Sequence, residues 1–547
     1  MLQFILNDSN IATNALTGTT LLDFVRSEQH LKGTKCGCRE GDCGACTVLV
    51  GERSGGKMRY RNLTSCLTPI GNVRGKHVVT VEGINVDELK IKNLELKTDA
   101  AAATVGQLKT QNPKLKTQNT EGVSETQNPK IDTQNLGLTP VQQAMNDEAA
   151  TQCGFCTVGF VMSLTGFCLS EETPTTERAI AAIDGNICRC TGYKSIERAA
   201  AKIAQFKENA TDDTTAFCIE NSIVPPYFQG INARLKVLND AQNVGEVSTQ
   251  NVGEVRTQNV GEVSNLADVG KVTPNLADGN AILVNNVNVV NVGGGTDLYV
   301  QKHDSMVNAD SQFLFNAEIL RGVKKIGNRC EIGGAATVSD LLNADFLHEA
   351  IPNLQRYLKL VSSTPIRNIA TLAGNFVNAS PIGDMTIFFL ALDAVLVLKK
   401  GDNRREIALK DFYKGYKIID KTADEIVEKF YFELPTIEDF FHFEKVCKRT
   451  HLDIASVNSA ILIRINEDGL IEKANLAMGG VAPIPLFLTK TSAYLLGKHF
   501  NHSTARWVND VLQTEIAPIS DVRGSESYKR LLARQLILAH SEELMTF

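Results

Sequence analysis

The chain has 547 residues, a formal net charge of −6, 43% hydrophobic residues and 22% charged residues. This composition is typical of a soluble globular protein of about three or four domains at ~150 residues each, and the weakly acidic balance argues against nucleic acid or an anionic membrane as the main partner. The first eight residues have no basic region ahead of the apolar ones, and the longest apolar run, residues 386–398, is too short to span a bilayer. Thirteen cysteines without an export signal are expected to be reduced thiols, mostly ligands, in the cytoplasm.

Residues 1–88 predict a small α+β domain built on one sheet. Thr19 or Thr20 is placed to cap a short helix at residues 21–28. Strand-like runs occur at residues 2–7, 47–50, 58–60 and 78–81. Short strands around one helix suggest a sheet that carries its functional loop at an edge.

That loop contains most of the cysteines of the domain. The ligand candidates have the C-x4-C-x2-C spacing of plant-type ferredoxins, with a distant fourth cysteine: Cys38, Cys43, Cys46 and Cys66. Four thiolates must converge on two irons, so the loop folds back on itself, and Gly41 and Gly44 let the backbone pass closely. A zinc site more often uses paired C-x2-C units, and disulfides are unexpected without export. The spacing therefore predicts a [2Fe–2S] cluster.

Two segments are low in complexity. In residues 89–138 the tripeptide Thr-Gln-Asn recurs among Lys, Pro and Glu without any aromatic residue, which predicts a disordered linker. In residues 211–280 the sequence Asn-Val-Gly-Glu-Val starts at 243, 251 and 259, a period far below the ~20 residues of solenoid units. We expect this second segment to be a linker with an exposed insertion.

Between the linkers, residues 139–210 predict a helical bundle, with Pro140 able to start its first helix. A C-x2-C unit and a distant C-x-C unit supply four further ligand candidates: Cys153, Cys156, Cys188 and Cys190. On spacing alone, zinc remains an alternative to an iron–sulfur cluster here. A redox thiol pair is less favoured because no βαβ pattern surrounds the C-x2-C unit.

The remaining chain divides into two α+β regions, residues 281–436 and residues 437–547. In the first, Asn291-Val-Gly-Gly-Gly-Thr-Asp-Leu298 follows a strand-like run. Consecutive small residues after a strand either make a simple turn or form a nest of N–H donors for a pyrophosphate. A second polar stretch with glycines spans residues 363–384. The last region has two strand patterns, beginning at Ala460 and Ala474, followed by helical patterns such as the one from Tyr528, which predicts a sheet with packed helices.

These motifs resemble the xanthine oxidase family of molybdenum hydroxylases. Residues 33–48 are similar to that family's first cluster loop, and residues 152–164 and 185–193 to its second cluster domain. The flavin-domain motifs are similar too, at residues 291–298, 363–375 and 379–384, followed by 445–455 and 479–483. The resemblance implies a multidomain α+β fold with four parts: a ferredoxin-like β-grasp [2Fe–2S] domain (1–88), a helical-bundle [2Fe–2S] domain (139–210), an FAD-binding domain of the PCMH type (281–436) and a C-terminal α+β flavoprotein domain (437–547).

The resemblance also implies ligand sets. Cys38, Cys43, Cys46 and Cys66 would hold one [2Fe–2S] cluster, and Cys153, Cys156, Cys188 and Cys190 the other. The implied FAD contacts are Asn291, Val292, Gly293, Gly294, Gly295, Thr296, Asp297 and Leu298 at the diphosphate, with Val361, Thr371, Gly374, Asn375, Asp384 and Lys490 along the rest of the cofactor. Cys36 falls outside the ligand pattern. No catalytic residue is nominated, because the implied purine chemistry belongs to a partner.

Two one-electron clusters and a flavin on one chain predict electron transfer. The resemblance implies a path from purine hydroxylation (hypoxanthine or xanthine) at a molybdenum cofactor, through both clusters to FAD and then to NAD. Because the chain ends at Phe547, we expect the molybdenum cofactor on a separate large subunit in a higher hetero-oligomer. Alternatives are the corresponding subunit of an aldehyde oxidoreductase or carbon monoxide dehydrogenase, an electron-transfer adaptor with a degenerate flavin site, and a zinc-binding scaffold. No Rossmann fingerprint locates a nicotinamide site.

Overall fold

The computed structural model describes residues 1–85, 137–253, 289–449 and 452–546. Of the predicted linker at 89–138, residues 89–136 lie outside these ranges, and so do the repeats after residue 253. None of the helices in the described ranges is both long and apolar enough to cross a bilayer.

The first domain is a five-stranded sheet of order β2-β1-β5-β3-β4, in which only β1 and β5 run parallel. The Thr20 side chain caps the predicted helix, which is α-helical for one turn and continues as a π turn at Phe24–Glu28. The elements are β1 Leu2–Leu6, β2 Ser9–Thr13, α1 Leu21–Asp23, β3 Thr47–Ser54, β4 Lys57–Thr64 and β5 His77–Val79. The cysteine loop lies between α1 and β3, and Cys66 follows β4, so the sheet brings the fourth cysteine back beside the first three.

The second domain is helical, as expected. Its first helix begins at Pro140, where Thr139 and Gln142 form a capping box. The helices are α2 Pro140–Asp147, α3 Thr157–Leu169, α4 Thr176–Ala182, α5 Lys194–Lys207, α6 Thr214–Glu220 and α7 Phe228–Gly253. Helix α7 includes the first Asn-Val-Gly-Glu-Val repeat. Helix α3 is buried on nearly every face because it packs on β3 and β4 of the sheet as well as on its own bundle.

The third domain begins with a parallel pair, β6 and β7, and contains a second five-stranded sheet of order β11-β10-β14-β9-β8. Its strands are β6 Val290–Val292, β7 Ser311–Phe313, β8 Val323–Ile326, β9 Arg329–Gly333, β10 Val395–Lys400, β11 Asn403–Ala408, β12 Tyr413–Gly415, β13 Ile418–Ile419 and β14 Ile426–Glu433. Its helices are α8 Thr296–Gln301, α9 His303–Asn308, α10 Val338–Leu342, α11 Asp345–Ala350, α12 Leu354–Lys359, α13 Thr364–Arg367, α14 Leu372–Asn378, α15 Asp384–Ala391 and α16 Leu409–Phe412. Helix α15 is buried after its first residue and, apart from Thr386, is apolar there, and it lies at the centre of the largest core.

The C-terminal domain is a four-stranded sheet of order β15-β16-β17-β18 covered by three helices. Its elements are β15 Asp439–Val446, β16 Val457–Ile465, β17 Ile471–Gly479, β18 Leu486–Phe487, α17 Thr489–Leu495, α18 His502–Glu515 and α19 Glu526–Thr546. The predicted multidomain α+β class is therefore confirmed.

Hydrophobic cores cross the domain boundaries. Leu49 and Val79 of the first sheet belong to the core of the helical bundle. Another cluster joins Cys66 and Leu67 of the first domain to Val292 and Tyr299 of the third. The cysteine loops therefore lie where three domains meet.

Candidate iron–sulfur and flavin sites

The four cysteines of the first loop lie in two pairs. The Cys43 thiol donates a hydrogen bond that lowers the pKa of Cys38 to about 5 and raises that of Cys43. Cys46 and Cys66 form the second pair, in which the Cys66 thiol lowers the pKa of Cys46 while its own pKa is raised. The thiols of each pair are thus within hydrogen-bonding distance of each other.

The backbone of this loop directs N–H groups at the sulfurs. The Glu40 amide donates to Cys38 Sγ at 3.3 Å, and the Gly41 amide donates to Cys66. Gly41 and Gly44 both have positive φ, 79° and 67°, so the predicted need for glycine at these turns is met. Such donors stabilise thiolates and the extra electron of a reduced cluster.

The second set of cysteines is also paired. Cys190 Sγ lies 3.7 Å from Cys153 Sγ, and Cys156, at the start of α3, is hydrogen-bonded to Cys188. Burial and then Cys188 raise the pKa of Cys156 to about 12. Burial raises the pKa of Cys188, but hydrogen bonds outweigh it and the net shift is downward; Thr191 Oγ1 lies 3.2 Å from its sulfur. Cys153 and Cys190 are exposed, whereas Cys188 is buried.

Two pairs of thiols suit a binuclear cluster. A [2Fe–2S] cluster has four thiolates spread over two irons. Each cysteine set therefore offers one pair of thiols for each iron.

The two cysteine loops contact each other directly. The Ile187 amide donates to the Cys43 carbonyl at 3.0 Å, and Asn186 Nδ2 donates to the Gly44 carbonyl at 3.1 Å. A Cβ on Gly44 would lie 2.3 Å from the Gly185 carbonyl oxygen. Since Ile187 precedes Cys188, one hydrogen bond connects the chain at one cysteine set to the chain at the other.

The glycine-rich stretch at residues 291–298 joins β6 to α8 and lies against the second flavin motif. A Cβ on Gly293 would lie 2.4 Å from Thr371 Oγ1, and one on Gly294 would lie 1.8 Å from the Ile369 carbonyl oxygen. Gly295 has a φ of 88° and caps α8. The structure thus brings the two predicted flavin motifs into a contact that only glycine allows.

The other predicted flavin residues surround this contact. Thr371 caps α14 by accepting from the Gly374 amide at 3.3 Å, and Asn375 Oδ1 accepts from Thr386 Oγ1 at 2.9 Å. The Val361 carbonyl accepts from Arg367. Buried polar atoms next to the cradle without a partner within the described residues include Asn72 Oδ1 and Tyr299 Oη. A glycine cradle beside unsatisfied polar atoms fits a dinucleotide cofactor.

Asp384 and Lys490 have different surroundings. The Asp384 carboxylate accepts from Lys445 Nζ at 2.7 Å and from Asn458 Nδ2 at 2.6 Å. Lys490 is exposed on α17, and its amide donates a hydrogen bond to Glu515. Its role in binding the cofactor stays a prediction. Lys445, buried beside Asp384, was missed as a site residue because no local pattern tells which residue a strand lysine will meet.

The segment that follows Cys66 also contacts the flavin cradle. Asn72 Nδ2 donates to the Gly293 carbonyl at 3.1 Å. The Leu67 carbonyl oxygen would lie 3.3 Å from a Cβ on Gly295. Cys66 is the residue before Leu67, so the buried cysteine pair and the cradle are adjacent.

Comparison with known proteins agrees with this arrangement. Four family models match in succession: the 2Fe-2S iron-sulfur cluster binding domain (residues 4–71), the [2Fe-2S] binding domain (120–201), the FAD binding domain in molybdopterin dehydrogenase (272–436) and the CO dehydrogenase flavoprotein C-terminal domain (442–544).

Curated relatives match nearly the whole chain. The chain is 30% identical to xanthine dehydrogenase of Blastobotrys adeninivorans over 94% of its own length and 38% of the relative's. It is 26% identical to xanthine dehydrogenase 1 of Arabidopsis thaliana and 25% identical to aldehyde oxidase 1 of Bos taurus, each over 94% of this chain and 37% of the relative. The chain thus spans a little over a third of these relatives.

Among solved structures, quinoline 2-oxidoreductase from Pseudomonas putida 86 aligns with 48% of this chain and 93% of its own, at 21% identity and a TM-score of 0.44. That likeness is too weak to bear on function. The domain order and the curated relatives agree: the chain contains, in order, two [2Fe-2S] domains, an FAD-binding domain and a flavoprotein C-terminal domain, and it is similar over nearly its whole length to a little over a third of each xanthine dehydrogenase.

Proposed function

We propose that the chain is the iron–sulfur and FAD subunit of a cytoplasmic xanthine dehydrogenase. It would receive electrons from a purine oxidised on a large subunit that holds the molybdenum cofactor, and deliver them to NAD⁺. The spatial order of the three sites carries this proposal, because it defines an entrance, a connection and an exit.

The entrance is the second cysteine set. Cys153 and Cys190 are exposed, and Phe155 and Tyr193 beside them are also exposed, with 46% and 38% of their surfaces accessible. An exposed pair of cysteines with two exposed aromatic side chains nearby suits contact with an electron donor on another protein. We therefore assign the first electron to this cluster.

The exit is the first cysteine set. Cys46 and Cys66 are 2% and 1% exposed, so a soluble acceptor has no direct access to them, whereas the flavin cradle adjoins them through Leu67 and Asn72. When bound, FAD supplies storage of two electrons and their release as hydride. The residues of the glycine cradle would hold the cofactor there.

The proposed reaction is balanced when one purine is oxidised for each NAD⁺ reduced. Hydroxylation replaces a C–H bond of the substrate by C–OH with oxygen from water and releases two electrons, which travel singly through the clusters and reduce NAD⁺ with one proton. Similarity to several xanthine dehydrogenases supports hypoxanthine or xanthine as the substrate. An aldehyde as substrate is the second candidate, supported by the comparable similarity to aldehyde oxidase 1.

Two measurements on the purified full chain test the cofactor part. We expect about four irons, from two binuclear centres, one FAD, and two distinct EPR signals after reduction with dithionite. Zinc in place of iron would refute the electron path. With FAD bound, the chain alone should reduce a dye with NADH; no reduction would refute NAD⁺ as the acceptor.

The substrate is tested in the complex. The chain is co-expressed with its proposed large subunit, and the two are purified together as a complex. The rate of NADH formation is then measured with xanthine as the substrate and with an aromatic aldehyde as the substrate. Turnover of xanthine supports the proposal, and turnover of the aldehyde alone selects the second candidate.

A further inference from the structure

The short helix α13 touches all three sites. Ile366 Cδ1 would lie 2.6 Å from a Cβ on Gly41 in the first cysteine loop, and Pro365 Cδ would lie 2.7 Å from a Cβ on Gly185 in the second. Just after the helix, Ile369 packs against Gly294 of the flavin cradle. One segment of the FAD-binding domain is therefore wedged between both cysteine loops.

An ion pair fixes this segment to the second cysteine loop. Arg367 Nη2 lies 2.5 Å from Asp184 Oδ2, and the two side chains are 6% and 15% exposed. The other oxygen of Asp184 accepts from the Thr364 amide at 2.7 Å. Arg367 also donates to the carbonyls of Val361 and Ser362. Charge-assisted bonds in two directions leave the pair little freedom to move.

Asp184 lies four residues before Cys188, at the start of the strip that connects the two cysteine sets. Within this strip the Ile187 amide reaches the Cys43 carbonyl, and Asn186 reaches the Gly44 carbonyl. Ser163 Oγ on α3 donates a hydrogen bond of 2.8 Å to Asn186 Oδ1. The strip is therefore supported by α3 on one side and by Arg367 on the other.

We propose that Arg367 and Asp184 are positioning residues for electron passage between the two clusters. By clamping residues 184–188 against α13, the pair sets the distance between the Cys188 and Cys43 loops, and electron transfer between metal centres weakens steeply with distance. This inference rests on the proposed function, since it concerns the clusters that the function requires.

The test compares Asp184→Asn with two control variants in the full chain. Asp184→Asn keeps the acceptor for the Thr364 amide but removes the charge that binds Arg367. Arg178→Ala removes an exposed contact, Arg178 Nη2 to Gln355 Oε1 at 3.3 Å, between the same two domains. Asp340→Asn breaks a half-buried ion pair with Arg61 at 2.6 Å that does not touch the strip.

Two measurements report on the spacing of the two cysteine loops and do not require enzymatic turnover. The first is the magnetic splitting between the two clusters in the EPR spectrum after dithionite reduction, and the second is hydrogen exchange of residues 184–190. For Asp184→Asn we expect both EPR signals with a narrowed splitting, and faster exchange in the strip. Both controls should keep the wild-type splitting, even where Asp340→Asn lowers the melting temperature.

Unchanged splitting and exchange in Asp184→Asn, with both clusters present, would overturn the inference. An equally narrowed EPR splitting in Asp340→Asn would also overturn the inference, because a general loosening of the fold would then explain the effect. If Asp184→Asn loses the second cluster, Arg367→Lys is read by the same criteria. A wild-type chain without two EPR signals would instead refute the proposed function, so the two failures are distinguishable.

Discussion

Substitution of Gly294 by alanine tests whether the glycine cradle holds FAD. The added Cβ would lie 1.8 Å from the Ile369 carbonyl oxygen, 2.6 Å from the Ile369 carbonyl carbon and 3.2 Å from the Ala370 nitrogen. All three atoms belong to the main chain, so no side chain can rotate away. The two flavin motifs must separate by more than 1 Å to bring the shortest contact from 1.8 Å to the 3.0 Å that real Cβ atoms need.

The size of the effect follows from overpacking. Forcing extra atoms into a well-packed core costs ~1–3 kcal/mol, and a clash with main-chain atoms belongs at the upper end. If this free energy destabilises the conformation that binds FAD, a cost of ~3 kcal/mol corresponds to roughly 100-fold weaker FAD binding, because about 1.4 kcal/mol changes a dissociation constant tenfold. We therefore expect Gly294→Ala to lose FAD during desalting while it keeps both iron–sulfur signals.

The assay is flavin released by acid from desalted protein, together with iron content and the FAD dissociation constant by fluorescence titration. Gly230→Ala is the matched control: a Cβ there meets open space in α7, and alanine is a better helix former than glycine by ~1 kcal/mol. It should retain FAD fully. A Gly294→Ala protein with wild-type FAD affinity would refute the cradle.

Three further predictions concern other parts of the chain. Cys43→Ser should abolish one of the two EPR signals while FAD and the other signal remain, and Cys36→Ser, outside the ligand pattern, should abolish neither; loss of both signals in Cys43→Ser would mean unfolding. Burial lowers the pKa of His77 to about 3, so below about pH 6.5 the unfolded chain takes up a proton that the folded chain does not, and the free energy of unfolding should fall by about 1.4 kcal/mol per pH unit. Urea titrations at pH 7.5 and 5.5 should show this loss reduced in His77→Gln, and an identical loss would contradict it. Lys445→Met leaves the Asp384 carboxylate without its cationic partner and should lower the free energy of unfolding, measured by chemical denaturation, by ~3 kcal/mol. The control Lys410→Met breaks the exposed ion pair with Asp393 and should cost less than ~1 kcal/mol. Equal losses in the two variants would show that burial of the ion pair is unimportant.

The sequence was sufficient for features that depend on local rules. Pro140 predicted the start of α2, and the structure adds the capping box of Thr139 and Gln142. The positive φ of Gly41 and Gly44 follows from a loop that must turn sharply around its cysteines. Spacing placed the cysteines in two loops because ligand spacing is itself a local property of the chain.

Features that depend on contacts between domains were not predictable from the sequence. Spacing alone left zinc open for the second cysteine set, and the pairing of Cys153 with Cys190 and of Cys156 with Cys188 became visible only in the structure. Lys445 became recognisable as a site residue only beside Asp384. Arg367 and Asp184 are 183 residues apart in the chain, and no periodicity links two charges at that separation.

The three domains share one packed interior around the cysteine loops. A Cβ on Gly159 of α3 would lie 2.2 Å from the Gly44 carbonyl oxygen, just as one on Gly44 would meet Gly185. Glycines at such contacts let two backbones approach as closely as they do inside a domain, and packing at that density resists sliding. The connection between the cysteine sets is therefore part of a core and not a surface contact between mobile domains. Since a core resists deformation, the spacing of the clusters is set when the chain folds, and small changes in the residues that clamp it should alter electron passage before they alter cofactor binding.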